Sequence, residues 1–450
     1  MSEAGEHGAS VHPERTLPWA EYARALTDPV RAREHPEALD DLLVLDCSHA
    51  NVAGLFASSI LAEFGATVIR VEPPPGDLVR QFSPEGMRHG DTGLAYLVEG
   101  RNKHHVTLNL ETQEGRLLLR RLAAKADVLI ETQKPGVMDA WGLGYRQLSQ
   151  LNPGLVYVAI STYGQFGPRA ASPIPDHDLT NQALSGVPYV TGEPEGPDGP
   201  APHAVPTRQG SWAGWYVGGA WAAFAAMAAL AWRATSGRGQ LCDVSPAEGE
   251  GRMTDYAVHW YHSHRQVWER TGAFNISIFP YTLIRTKDGY SFIAGFSDPN
   301  WTGVTNIMGR PDLKERFPTP RDRTAADKQP DIHRELEAWS SGLTSQELLE
   351  RVMDYMLNKR GPGTVATARV NSPQDTLAEA HWWERGVFQK VEDPHYGTLL
   401  LQAPPWKMSR TPPRIKWACR PVGADNGAIY ARYLGLSPSE LTALRERGVI

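Results

Sequence analysis

The chain has 450 residues, of which 41% are hydrophobic and 21% charged. That is the usage of an ordinary globular protein, and it excludes a disordered chain, a collagen-like repeat and a coiled coil. Forty-five basic against 51 acidic residues leave a net charge of −6, without the basic footprint that nucleic-acid binding requires.

At about 150 residues per domain the length corresponds to as many as three domains, or to one or two large ones. The three cysteines (Cys47, Cys242, Cys419) are odd in number and far apart. They supply neither a disulfide framework nor a CxxC metal site and point to a reducing, cytoplasmic setting.

Residues 1–38 are polar and charge-mixed, with Trp19 and Tyr22 as anchors, and read as an N-terminal extension. Their start has no basic region followed by an apolar core, so a secretory signal is not expected. From residue 41 the pattern changes. Leu42 to Leu45 is a short apolar run, Ala53 to Phe64 has helical spacing, and Ala66 to Val71 is β-branched. Gly65 stands where a helix C-cap belongs, which completes a βαβ unit. The unit recurs: Val106 to Leu110, a helix from Gly115 to Ala126, a strand from Asp127 to Ile130, a helix near Val137 to Leu151, and a strand from Val156 to Ile160. This alternation predicts a parallel sheet with helices on both faces.

Residues 187–210 are rich in Pro and Gly and read as a surface loop. The apolar run Val217 to Trp232 is built largely from Ala and Gly. It is shorter than the roughly 20 apolar residues of a membrane span, and it reads as a buried helix that lets neighbouring backbones come close. Beyond it, Tyr281 to Arg285 and Tyr290 to Ala294 flank a Lys287-Asp288-Gly289 turn, and residues 331–358 are helical and charged. A second, smaller α+β domain follows from that. Tyr430 to Arg447 reads as an amphipathic helix with Ser437 at a plausible start.

The first βα junction, Asp46 to Gly54, holds one glycine where a dinucleotide fingerprint needs three, and no GxxxxGK[ST] occurs. A nucleotide cofactor of those kinds is not expected. His259, His262 and His264 form HxxHxH, but on a helix His264 turns away from the other two, so no metal set converges. Cys47 and His49 lie on one loop and lack an orienting third group, which argues against a thiol nucleophile.

The most specific stretch is YVAISTYGQFGPRAASPIPDHDLTNQALSG, residues 157–186, where a strand leads through a Gly-Pro loop to Asp178 at the head of a helix. An acid there is often only a cap for free amides. With LLVLDCSHANVAGL, GATVIRVEPPPGD, GRNKHHVTLNLETQEG, ADVLIETQKPGVMDAWGLGY, GRGQLCDVS, TKDGYSFIA, DPHYGTLLLQAPPWKMSRTPP and LGLSPSELTALRERGVI, in that order, the chain resembles the class III CoA-transferases. This is the family of formyl-CoA transferase and the CaiB/BaiF proteins.

The resemblance implies an α/β fold. A large Rossmann-like domain with a parallel sheet would stand beside a smaller α+β domain, in an interlocked ring-like dimer whose active site lies between domains. The corresponding boundaries are an extension at 1–38, the large CoA-binding domain at 39–235, linker helices at 236–270, the small domain at 271–395, and a return to the large domain at 396–450.

The resemblance also implies an aspartate nucleophile ahead of a Q-A-x-S-G run. Asp176 and Asp178 are both near, and the Gln182 to Gly186 register selects Asp178. CoA contacts are implied at Val52, Ala53, Glu72, Pro74, Pro75, Arg101, Asn102, Lys103, Thr132, Gln133, Lys134, Ile160, Ser161 and Tyr163, with Arg101 and Lys103 as phosphate partners. The expected substrates are an acyl-CoA, with succinyl-CoA a reasonable donor, and a carboxylic acid. No permanently bound cofactor, metal, nucleic acid or membrane is expected.

Trp212, Trp215, Tyr216, Trp260 and Tyr261 either belong to core and interface or line an acyl pocket. In the second case a bulky or aromatic dicarboxylate such as benzylsuccinate would suit it. Three positions depart from the family pattern: Ala140 where arginine is common, Lys134 for arginine, and Gly423-Ala424-Asp425-Asn426 for a GxHT-like segment. Two further readings stand beside the transferase. One is an α-methylacyl-CoA racemase of the same superfamily, kept open by His177-Asp178. The other is a non-catalytic subunit of a hetero-oligomer, so the partner is a second copy or a related chain.

Overall fold

The computed structural model describes residues 18–195, 205–358 and 361–450. The chain forms two compact units; the larger takes in residues 18–188, 208–267 and 380–450, and the smaller residues 189–207 and 268–379. Of the expected extension, residues 1–17 lie outside the described residues, as do residues 196–204 of the expected surface loop. Helix α1 (Pro18–Thr27) buries none of its residues.

The larger unit is organised by six strands: β1 (Leu43–Cys47), β2 (Thr67–Glu72), β3 (Lys103–Thr107), β4 (Val128–Glu131), β5 (Val156–Ile160) and β6 (Leu241–Val244). They pair in the order β3-β2-β1-β4-β5-β6, all parallel. β1, β4 and β5 are buried along their whole length, which is why they read as continuous apolar runs.

Helix α2 (Val52–Glu63) connects β1 to β2. Asn51 caps it by accepting from Ala53 N at 2.7 Å, and Gly65, at φ +112°, turns the chain into β2. Helix α3 (Leu94–Glu99) precedes β3 and α4 (Gln113–Ala123) follows it. One apolar core lies on the α2 face and another on the α4 face, so the sheet is the middle of three layers.

β3 begins at Lys103, earlier than the expected 106, because its charged residues are paired inside the sheet. Asp46 on β1 meets Arg70 on β2 at 2.8 Å and Lys103 on β3 at 3.5 Å, and all three side chains are fully buried. The free edge of β3 is covered: Asp425 accepts from His105 N and Asn426 from Thr107 N, each at 2.8 Å. The Gly423–Asn426 segment thus satisfies edge amides that would otherwise template pairing.

Helix α5 (Asp178–Ser185) ends at Gly186 in the left-handed region, φ +84°. Helix α6 (Ala213–Ser236) contains the expected small-residue run and lies on α2 and β5. A Cβ at Gly219 would meet the Ala53 carbonyl oxygen at 2.5 Å, and one at Gly218 would meet the Pro246 side chain at 2.6 Å. Only glycine permits so close an approach. The opposite face of α6 leaves Trp221, Phe224 and Trp232 exposed.

Residues 236–270 are not simply linker helices: they contribute β6, whose four residues complete the sheet, before α7 (Pro246–Gly251) and α8 (Ala257–His264).

In the smaller unit, β7 (Tyr281–Thr286) and β8 (Gly289–Ala294) form the expected hairpin. β9 (Ala366–Arg369) adds to β8. Helices Gln329–Ser340 and Ser345–Leu357 supply Leu336, Leu348 and Val352 to a core with Ile284, Ile293 and Trp301.

The boundary expected at 395/396 falls inside a hairpin, β10 (Phe388–Asp393) with β11 (Gly397–Gln402), that belongs to the larger unit. Two expected single helices are each split by glycine. Val137–Ala140 and Tyr145–Leu151 are separated at Gly142, and Asn426–Leu434 and Pro438–Glu446 at Gly435. Ser437 opens the last helix through a reciprocal capping box with Glu440, as its position in the sequence suggests.

Candidate active site

Asp178 is the first residue of α5 and is 4% exposed. Its Oδ1 accepts from the Trp215 backbone N–H at 2.9 Å and its Oδ2 from Gln182 Nε2 at 2.7 Å. The Gln182 carboxamide is oriented in turn because its oxygen accepts from Gln209 N at 2.9 Å. Trp215 is the third residue of α6, so this carboxylate sits on unsatisfied amides at the positive end of a 24-residue helix. Burial pushes the Asp178 carboxyl above its ordinary range, against the opposing pull of the Trp215, Gln182 and Gly214 donors and the Arg208 charge.

Asp176 stands two residues upstream in a different setting. Its Oδ1 accepts from Asn181 Nδ2 at 3.0 Å and from the Trp215 indole N–H at 3.1 Å, and its Oδ2 from Asn51 Nδ2 at 3.1 Å. Trp215 therefore holds both carboxylates, one with its backbone and one with its ring. Three donors hold each carboxylate, and of the two only Asp178 lines the large cavity described next.

Two concavities meet these residues. A cavity of about 1380 Å³ takes in Asp178 and His177 and runs between aromatic walls, among them Phe56, Phe82, Trp212, Trp215 and Tyr216. Glu63, Glu99 and Arg101 also line it. Of the aromatic set picked out in the sequence, Trp212, Trp215 and Tyr216 reach this cavity, whereas Trp260 and Tyr261 are not among its lining residues. A second concavity of about 30 Å³ is lined by Thr132, Gln133, Lys134, Ser161, Tyr163 and Asp176, among others. It lies beyond the carboxyl ends of β4 and β5, next to the point between β1 and β4 where the strand order reverses. That is the usual ligand crevice of an open doubly wound sheet. Thr132 Oγ1 ties the two loops there, accepting from His49 N at 2.9 Å and donating to His49 O at 3.1 Å.

Five of the residues expected at CoA (Thr132, Gln133, Lys134, Ser161, Tyr163) thus line one concavity with Asp176, two residues before Asp178. Ile160 ends β5 beside them, buried. Val52 and Ala53 begin α2 with buried side chains, and Pro74 and Pro75 lie at the surface after β2.

The remaining residues are engaged in contacts within the chain, and the phosphate role expected of Lys103 needs correction. Lys103 is fully buried and donates to Leu55 O at 2.6 Å beside Asp46, so it is a counter-charge within the sheet and does not face a phosphate. Arg101 is held by Glu63 at 3.3 Å, by Glu99 at 3.6 Å and by Gln402 O. Asn102 binds the C-terminal segment through Arg414 O and Lys416 N. Glu72 is buried against Arg80 at 2.7 Å.

His49 does have an orienting group: its Nδ1 lies 3.0 Å from the buried Asp77 carboxylate. Cys47 is buried in the sheet, and burial pushes its thiol far up, so it does not serve as a thiolate. His259, His262 and His264 lie exposed on α8. Sequence reasoning passed over Asn51, whose place at a βα junction is a cap signal, and the backbone of Trp215, which carries no signal at all.

Over residues 39–426 the sequence matches CoA-transferase family III. The chain belongs to that family. As a class III CoA-transferase it is 32% identical over 419 residues to succinyl-CoA–D-citramalate CoA-transferase of Chloroflexus aurantiacus, covering 92% of this chain and 98% of that protein. It is 33% identical over 417 residues to the alpha subunit of succinyl-CoA–L-malate CoA-transferase from the same organism, covering 92% of each. A CaiB/BaiF family protein from Brucella suis shares the fold in its crystal structure. The TM-score is 0.74 at 27% identity, over 88% of this chain and 100% of that one.

Proposed function

We propose that this transferase moves CoA from succinyl-CoA to a second carboxylic acid through covalent intermediates on Asp178. The observation that carries the reading is the seat of Asp178: a buried carboxylate with one oxygen on the α6 terminus and the other on an oriented amide. A carboxylate has an ordinary pKa near 3.9 and needs no activating base at neutral pH.

Oδ2 attacks the donor thioester carbonyl, forming an acyl-aspartyl anhydride and releasing CoA thiolate. The thiolate then attacks Cγ of Asp178, and the donor acid leaves with Oδ2, so that an aspartyl-CoA thioester remains. During that attack negative charge develops on Oδ1, where the Trp215 N–H is already aimed; such preorganised donors contribute on the order of 3–4 kcal/mol. The acceptor carboxylate attacks the same carbon, expels the thiolate and forms a second anhydride, which the thiolate opens to give the new acyl-CoA. Each step exchanges bonds of similar energy, and the Asp178 carboxylate is regenerated.

CoA would lie across the surface at Thr132–Lys134 and Ser161–Tyr163, where the crevice is too small to enclose it, with Lys134 as its phosphate partner. The aromatic walls of the large cavity favour a bulky or aromatic acceptor, with a benzylsuccinate-like dicarboxylate as the working example. Relatives named for succinyl-CoA and small dicarboxylic acids support the donor and the second carboxylate. The functional assembly is a ring-like dimer of this chain or of this chain with a related subunit, working in the cytoplasm; the alpha and beta subunits of the malate enzyme favour keeping the second form.

The test is intact-protein mass spectrometry with a panel of acyl-CoAs, followed by hydroxylamine trapping. A CoA or acyl adduct that maps to Asp178, vanishes in Asp178→Ala and accompanies ping-pong kinetics is expected. Solvent deuterium incorporation into the acyl group without exchange would contradict it in favour of the racemase reading. Inertness relieved only by co-expression with a related chain would contradict the self-sufficient enzyme.

A further inference from the structure

Glu250 lies on α7, one residue before its end, and is 1% exposed. Neither of its carboxyl oxygens receives a hydrogen bond among the described residues. The hydroxyl of Ser185 on α5 belongs to its surroundings, but that proton goes to Gln182 O at 2.6 Å. α7 packs against both α5 and α6, and the three helices meet at Gly214. A Cβ there would stand 3.2 Å from Glu250 Oε2, 3.1 Å from the Asp178 carbonyl oxygen and 3.1 Å from Asn181 Cβ. The missing side chain leaves the space that the glutamate occupies.

The charged groups around it are few. α5 presents Asp178, and the segment leading into α6 presents Arg208, whose charge acts on Asp178. On α7 itself Glu248 is exposed, as is Arg252 just beyond it.

We propose that Glu250 is a positioning residue of the Asp178 site: a buried carboxyl that stays neutral and so adds no further negative charge to those of Asp178 and, on the Trp215 ring, Asp176. The role assigned to it rests on Asp178 being the nucleophile. Two carboxylates in one dry pocket do not both ionise. Asp178 has donors that stabilise its anion and Glu250 has none, so the proton resides on Glu250. Burial, reinforced by the Asp178 charge, raises the Glu250 carboxyl to about 7. Below that value the thiolate and the acceptor carboxylate, both anions, approach one negative charge fewer than they do above it.

The test combines pH profiles with direct titration. In the wild-type enzyme the rate at saturating substrates should fall about fivefold between about pH 7 and pH 8, as expected for one ionisation near 7. Glu250→Gln, which copies the neutral form, should abolish that fall. A fall that persists unchanged in Glu250→Gln, with the rate lowered equally at every pH, would reduce Glu250 to a packing role and overturn the proposal.

A second readout needs neither turnover nor a folded Glu250 variant. In protein labelled with carbon-13 at the glutamate carboxyls, burial raises Glu63 as well as Glu250 to about 7, and of the resonances titrating there one should move to lower pH in Asp178→Asn, which removes the charge beside Glu250. Absence of any resonance that moves in this way would overturn the proposal. If instead no covalent adduct forms on Asp178 while this titration appears as expected, the transferase mechanism fails and the charge coupling stands.

Discussion

Replacing Gly219 by alanine should destabilise the protein, although alanine is the better helix former. The added methyl would lie 2.5 Å from the Ala53 carbonyl oxygen and 3.1 Å from the Phe56 ring. The ring can rotate, but the carbonyl is backbone in the first turn of α2. Relief therefore requires α6 to move away from α2 by roughly 1 Å. Overpacking of this kind costs about 1–3 kcal/mol, and the gain in helix propensity returns about 1 kcal/mol. The expected outcome is a net loss of up to about 2 kcal/mol.

Gly427 provides the control. It is also helical, but an added Cβ there meets nothing within 4 Å, so Gly427→Ala should gain about 0.5–1 kcal/mol. Urea unfolding midpoints at unchanged slope measure both. A Gly219→Ala that gains stability as Gly427→Ala does would refute the close contact of α6 with α2. The same displacement should draw the Trp215 amide away from Asp178, so adduct formation should slow in Gly219→Ala alone.

Asp176→Asn should lower turnover by about 10²-fold through misplacement of Asn51, Asn181 and Trp215, yet still permit an adduct on Asp178; complete loss of adduct would make Asp176 the nucleophile. Lys134→Ala should raise the KM for acyl-CoA several-fold with kcat little changed. Lys103→Ala should instead cost about 1–3 kcal/mol of stability by leaving the buried Leu55 O without its donor, while Arg70 still pairs Asp46, seen as a lowered unfolding midpoint; a folded Lys103→Ala defective only in CoA affinity would restore its phosphate role. Burial raises Glu131 to about 8. For a carboxyl raised on folding, its contribution is fully present below its unfolded value near 4.5 and is lost as pH rises through about 8. Thermal melts of Glu131→Gln should therefore gain on wild type as pH rises over that window, and a constant difference would contradict the buried neutral carboxyl.

Much of this architecture was legible because parallel strands and small-residue helices leave plain traces. Val156 to Ile160 is a buried apolar run and reads correctly to the residue. The strand Leu241–Val244 escaped because four residues at a sheet edge, half of them exposed, carry too little pattern to separate from a linker. Charged strand residues misled most. Lys103 reads as a surface cation until Asp46, 57 residues earlier, is seen to lie against it, and no local pattern shows which strands become neighbours. By position alone Asp178 read as a helix cap; it was singled out only through the family resemblance, whose Q-A-x-S-G run corresponds to Gln182 to Gly186. Glu250 was not, since a glutamate between glycines reads as solvated until three helices close around it.

The central claim is that Asp178 exchanges an oxygen with its substrates in every turnover. The measurement that tests it most directly uses an acceptor acid labelled with oxygen-18 in its carboxylate, followed by fragmentation of the peptide that carries residues 176 and 178. The account predicts label in the Asp178 side chain after turnover, none in Asp176, and its passage to the donor acid in the next cycle. Turnover that leaves Asp178 unlabelled, or places the label on Asp176, would contradict it.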